Sequence, residues 1–160
     1  MPMAFGALVR CSGIQRVVWP SAELVVSICA QACMNLFERW PGAYAKALAW
    51  SEREEEYVKR AGFVLMARLA QGARGGPNDS YAPFFAAIAR EAGDARNGVK
   101  KAVSWALRQI GKRNLVLNAQ AAALARELKQ SQSPAARWVG ADALRELTSP
   151  AVQERLAPPA

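Results

Sequence analysis

Four residues in the stretch KKAVSWALRQIGKRN, residues 100–114, could do chemistry on an anionic partner: Lys101, Trp105, Arg108 and Lys112. On a helix they stand at i, i+4, i+7 and i+11, which is one stripe. Cations at that spacing can meet phosphates, and an indole among them offers a flat face to a sugar or base. Lys100 and Arg113 extend the cationic run at its two ends. The plainer reading of the same stripe is a solvated face, with Trp105 half covered by the aliphatic stems of its Lys and Arg neighbours. Val99, Ala102, Val103, Ala106 and Ile110 occupy the opposite side and form the expected buried face.

Composition narrows the chemistry further. The net charge is +8 and the pI about 9.9, which favours an anionic partner. Residues 1–80 carry 9 Lys and Arg against 7 Asp and Glu, whereas residues 81–160 carry 12 against 6, so the basic excess lies in the half that holds the stripe. There is no histidine, which excludes a Ser-His-Asp triad, a Cys-His pair and a His-ligated zinc. The three cysteines are Cys11, Cys29 and Cys33; the last two sit one helical turn apart in an apolar run and read as buried thiols. Neither a metal nor a cofactor is expected. An odd cysteine count without framework spacing points to a reducing, cytoplasmic setting. No apolar run approaches the roughly 20 residues of a membrane span, and MPMAFGALVRCSG lacks the charged start of a signal peptide.

The elements that must position the stripe are helices. Apolar residues make up 52% of the chain and alanine is abundant, while alternating β-branched runs are missing. Periodicity predicts helices over 21–37, 43–50, 51–70, 81–92, 115–130 and 134–147, besides the one carrying the stripe. Ser51 is the expected N-cap of the third, Asp94 caps the stripe helix and Asn114 ends it; Ser133 with Pro134 opens the last. Pro41-Gly42 and residues 72–80 read as breaks.

Similar phrases recur along the chain. EYVKRAG and NGVKKAV stand 41 residues apart, and WALRQI and DALREL stand 37 apart. A recurrence near 40 residues with two helices in each unit predicts an all-α, HEAT-like solenoid of antiparallel helix pairs. The expected division is a divergent segment over 1–20, a repeat domain over 21–156 and a tail over 157–160, and a monomer is expected.

EEEYVKRAGFVLMARLA, EAGDARNGVKKAVSWALRQIGKRN and SPAARWVGADALRELTSPAVQERL closely resemble the HEAT-like DNA alkylation repair (AlkD-like) family. The resemblance runs from about Cys29 through Leu156 and is strongest from residue 51 onward. It implies a solenoid whose positive concave face holds duplex DNA, and a glycosylase for cationic N3- and N7-alkylated purines that leaves the base in the stack. Two indoles and a carboxylate meet the lesion's deoxyribose, and an arginine anchors the backbone. Releasing an already cationic base needs no general acid; it needs negative charge and π faces beside an oxocarbenium-like sugar.

On this resemblance Trp105 stands at one catalytic indole, and the pair Lys59-Arg60 at the anchoring arginine. The second indole and the carboxylate, four residues apart in the family, fall on Val26 and Ala30 when the chains are registered on Cys33-Met34-Asn35-Leu36-Phe37. Trp19 and Glu23 have the right spacing seven residues out of register, with Pro20 between them. The implied DNA-binding set is Lys59, Arg60, Lys100, Lys101, Trp105, Arg108, Lys112 and Arg113. Three readings follow: a duplex-binding protein of this family with weak or absent excision, a glycosylase with another carboxylate, and a HEAT-like protein-interaction scaffold.

Overall fold

A computed structural model describes residue 31 and residues 40–72 and 77–157. Among the described residues there are seven α-helices and no strand: α1 (Ala43–Ser51), α2 (Glu56–Gln71), α3 (Ala82–Glu91), α4 (Asn97–Gly111), α5 (Leu115–Lys129), α6 (Pro134–Leu147) and α7 (Pro150–Leu156). A 3-10 turn, Asn78–Tyr81, leads into α3. The expected 1–20 segment, all but one residue of the expected 21–37 helix, and the positions Trp19, Glu23, Val26 and Ala30 lie outside the described residues.

Helix ends follow local chemistry, though not always the expected residue. Ser133 caps α6, its side chain accepting from the Ala136 N–H, with Pro134 in the first turn as expected. Asn114 caps α5 by accepting from the Leu117 N–H, so it opens the next helix and does not merely end the stripe helix. Ser51 is the last residue of α1; its hydroxyl donates to the Leu48 carbonyl at 2.7 Å, and Glu55 takes the N-cap position of α2. Asp94 does not cap α4 either. It accepts from the Arg96 backbone N–H at 3.0 Å and grips the same residue's guanidinium, while Arg96 occupies the cap position.

The helices form two layers. α2, α4 and α6 lie side by side, and α1, α3 and α5 pack against them as the first helices of three successive pairs. The apolar residues that share a face in each helix meet between the layers: Phe63, Leu65 and Met66 of α2, Phe84 and Ile88 of α3, Val99, Val103, Leu107 and Ile110 of α4, and Leu147 of α6 are fully buried. This is a helical-repeat architecture, and the two recurring phrases are its chemical trace.

The same repeat position sets how closely each pair packs. Gly62 and Gly140 are related through Val103 by the offsets of 41 and 37 residues. A Cβ on Gly62 would stand 2.6 Å from the Ser51 nitrogen, and one on Gly140 would stand 2.5 Å from the Ala125 carbonyl oxygen. Backbone therefore meets backbone in the α1–α2 and α5–α6 pairs. In the middle pair the position is Val103, and α3 touches α4 over a much smaller surface. We expect Gly140→Ala to lower stability by about 1–3 kcal/mol, because its clash partners are backbone atoms that cannot rotate away. Gly93→Ala is the control: its Cβ meets nothing closer than 3.6 Å, and a change within about 0.5 kcal/mol is expected. Paired urea denaturation of the two variants checks both.

Candidate nucleic-acid interface

α4 presents its stripe along one edge. Lys101 is exposed, and Trp105 is partly buried with its ring packed on the core. With the Gln109 amide assigned in the orientation that satisfies its neighbours, its oxygen accepts from Trp105 Nε1 at 2.9 Å and from Lys112 Nζ at 3.0 Å. The indole N–H is thereby satisfied at the polar edge. Lys100 flanks the stripe on the α6 side, where its ammonium sits 4.8 Å from the centroid of the Trp138 ring. Trp138 itself is 39% exposed.

The seam between α4 and α6 pairs residues about 38 apart. Ser104 donates to Asp142 at 2.7 Å, and Arg108 forms an ion pair with Glu146 and lies 3.6 Å from Asp142. Lys112 donates to the other oxygen of Glu146 at 2.5 Å. Burial alone would raise the Glu146 carboxyl, but the hydrogen bonds from Lys112 and Arg108 outweigh it and hold the group below the usual carboxylate range. Two of the four stripe residues are therefore already matched by a carboxylate of the neighbouring helix. Asp142 and Glu146 lie in DALREL, which the offset to WALRQI sets beside the stripe once the two helices are known to be neighbours.

The remaining expected contacts are placed apart from this edge. Lys59 is buried, donating to Glu91 at 2.5 Å and lying 3.6 Å from Asp94. Arg90 and Arg96 complete the cluster on the same two carboxylates. Burial raises Glu91, yet Lys59 and Arg90 hold it low; Arg96 above all holds Asp94 low. Lys59 thus ties α2 to the turn that launches α4, with its charge turned inward. Arg60 donates to the Gly98 carbonyl at 2.7 Å, bridging α2 to the first turn of α4. Arg113 donates to the Ala70 and Gly72 carbonyls at 2.7 and 3.1 Å and stands over the Tyr81 ring. Structure therefore joins Lys101, Trp105, Arg108 and Lys112 on one edge, flanks them with Lys100 on the Trp138 side, and gives Lys59, Arg60 and Arg113 interhelical bonds.

The family model for DNA alkylation repair enzymes matches residues 19–147. The chain belongs to the DNA alkylation repair enzyme family. Within that family assignment, α4 and α6 both fall inside the matched span. No curated protein and no solved structure matches the chain significantly. Among the described residues no cluster of His, Cys, Asp or Glu could hold a metal ion, and no helix is long and apolar enough to cross a membrane.

The Lys59 cluster has a measurable signature. Glu91 and Asp94 there, and Glu146 on the α4–α6 seam, have depressed values in the folded state. Their stabilisation is fully present above the unfolded carboxylate range of about 4 and is lost as pH falls through the lower folded values. Lys59→Ala leaves Glu91 and Asp94 with Arg90 and Arg96 but one cation fewer in a poorly solvated site, and should cost about 1–3 kcal/mol at neutral pH. It should also make the acid limb of the stability curve shallower, since those carboxylates are then less depressed. Lys101→Ala should do neither. Thermal melts of the three proteins from pH 7 down to pH 3 check this.

Proposed function

We propose that this member of the DNA alkylation repair family binds duplex DNA as a monomer along the outward edge of α4. One observation carries the reading: Lys101, Trp105, Arg108 and Lys112 lie in a single row, with an indole hydrogen-bonded to Gln109 in its middle. Cations at helical spacing engage phosphates, and the indole offers its accessible part to a deoxyribose or base. The residues supporting this reading are Lys100, Lys101, Trp105, Arg108 and Lys112, with Arg60 and Lys59 positioning α4 from the neighbouring α2. Lys59 is assigned that positioning part because its ammonium faces Glu91 and Asp94.

Excision of N3- or N7-alkylated purines is the family chemistry implied for Trp105. It calls for a carboxylate beside the sugar, and the register from Cys33 to Phe37 sets Ala30 there, with Val26 at the second indole. Losing one preorganised charge-stabilising group commonly costs about 10²–10³ in rate. We therefore assign DNA binding with weak or absent excision. Single-turnover release of 7-methylguanine from duplex DNA, run beside a binding titration, tests both halves. Binding with release near the spontaneous rate is expected; fast release would mean another carboxylate acts.

A protein-interaction scaffold is the second reading, and the pairing of Arg108 and Lys112 with Glu146 favours it, because matched cations attract phosphates less. The two readings differ in their response to Glu146. Under DNA binding, Glu146→Gln unmasks about one net positive charge, so affinity should rise and the log–log salt slope should steepen by roughly 0.9. Lys101→Ala should flatten it by a similar amount for every duplex sequence. Fluorescence anisotropy at several salt concentrations measures these slopes. Binding that is absent at low salt in both variants and in the parent would leave the scaffold standing.

A further inference from the structure

At the C-terminal ends of α2 and α4 the surface folds inward to a cavity of about 500 Å³. Lys112, Arg113 and Arg155 line it, with the amides of Gln71 and Gln109, and none of its lining residues is a carboxylate. Helix C-termini ordinarily repel anions, because their last carbonyls carry roughly half a negative charge per helix. Here cations meet three carbonyls at these two ends. Arg113 donates to Ala70 and Gly72 at the end of α2, and Arg155 of α7 reaches the Lys112 carbonyl at the end of α4 at 3.5 Å. Three cations then stand against about one negative charge from the two helix ends and the single carboxylate of Glu146, which Lys112 shares with Arg108 outside the cavity. The balance is positive.

We propose that this cavity is a phosphate-binding site, formed where three helices bring Arg155, Lys112, Gln71 and Gln109 around one space. A tetrahedral phosphate presents oxygens in several directions and suits donors that converge from different elements, whereas a planar carboxylate presents two. Arg155 is exposed on the last helix, and it supplies the forked guanidinium that phosphates favour. Lys112 belongs to both the cavity and the α4 stripe, so a duplex lying on the stripe would bring a backbone phosphate to the cavity mouth. A free phosphorylated small molecule offers the same chemistry. The assignment stands on the cavity and does not depend on duplex binding.

Inorganic pyrophosphate, titrated into the full chain at constant ionic strength, is the probe. Trp105 provides the readout, because its indole N–H donates to Gln109, a lining residue; its NMR resonance is assigned with Trp105→Phe. A saturable shift of that resonance is expected, weakened at least about tenfold in Arg155→Ala and largely regained in Arg155→Lys. Gln71→Ala, which removes an amide from an exposed position, should weaken binding independently. A shift no larger than that from sodium chloride, or equal affinity in Arg155→Ala, overturns the proposal. If duplex DNA displaces pyrophosphate and Arg155→Ala flattens the duplex salt slope by about 0.9, the ligand is a backbone phosphate. Pyrophosphate that stays bound under saturating duplex assigns a small phosphorylated molecule. Pyrophosphate binding without duplex binding sinks the DNA reading and leaves the cavity; the reverse result sinks the cavity alone.

Discussion

The enclosure of α4 governs the rest of the structure. α2 lies along one side of it, α6 along the other, and α3 and α5 stand behind. Eight of its 15 residues are buried, which confines its charged residues to the outward edge and its α6 flank. Fully burying Val99, Val103, Leu107 and Ile110 contributes about 1.5–3 kcal/mol each. The ion pairs along the α4–α6 seam are partly solvated and contribute about 0–1 kcal/mol apiece. Burial therefore decides which side of α4 faces out, and the seam pairs decide how the exposed charges are matched. Trp105 is caught between the two demands: its ring joins the core while its nitrogen faces the polar edge.

Repetition turns this local constraint into an electrostatic one. Second helices of successive units lie side by side, so a residue on one meets residues about 38–43 positions along: Arg60 with Gly98, Arg113 with Ala70, Ser104 with Asp142, Arg108 with Glu146. Charges on adjoining edges are thereby paired inside the molecule. A net charge of +8 describes the long-range field that steers an anion toward the protein. It does not say which cations can engage a phosphate on arrival. Lys101 on the open edge and Lys59 in its buried cluster carry the same formal charge and have opposite parts to play.

Family membership and the chemistry expected of it are separate questions. The matched span covers residues 19–147, and the helices described within it carry the α4 edge. On the resemblance read from the sequence, the groups expected to stabilise an oxocarbenium-like sugar fall in the register of Val26 and Ala30, outside the described residues. A fold supplies a surface, and the reaction needs particular atoms upon it. Binding to a polyanion asks only for cations in a row, a lighter demand than the one excision makes.

Helix content, the repeat period and the family were legible in the sequence, because each depends on local spacing. Apolar residues at i, i+3 and i+4 define a helix wherever it occurs, and two phrases near 40 residues apart imply two copies of one unit. The pairing Ser133–Pro134 specified its helix start unaided, since a cap acts within a single turn. What stayed hidden was which neighbours the polar residues would find. Lys59 and Arg60 read as one basic pair, yet they project about 100° apart on α2, so one is buried against Glu91 and the other bridges to Gly98. Glu146 gave no sign of its role, because Arg108 lies 38 residues before it and only the packing of α4 on α6 brings them together. Sequence determines where each helix can hide its apolar face; tertiary packing alone decides which charges remain open, because ion pairing depends on distance in space and not along the chain.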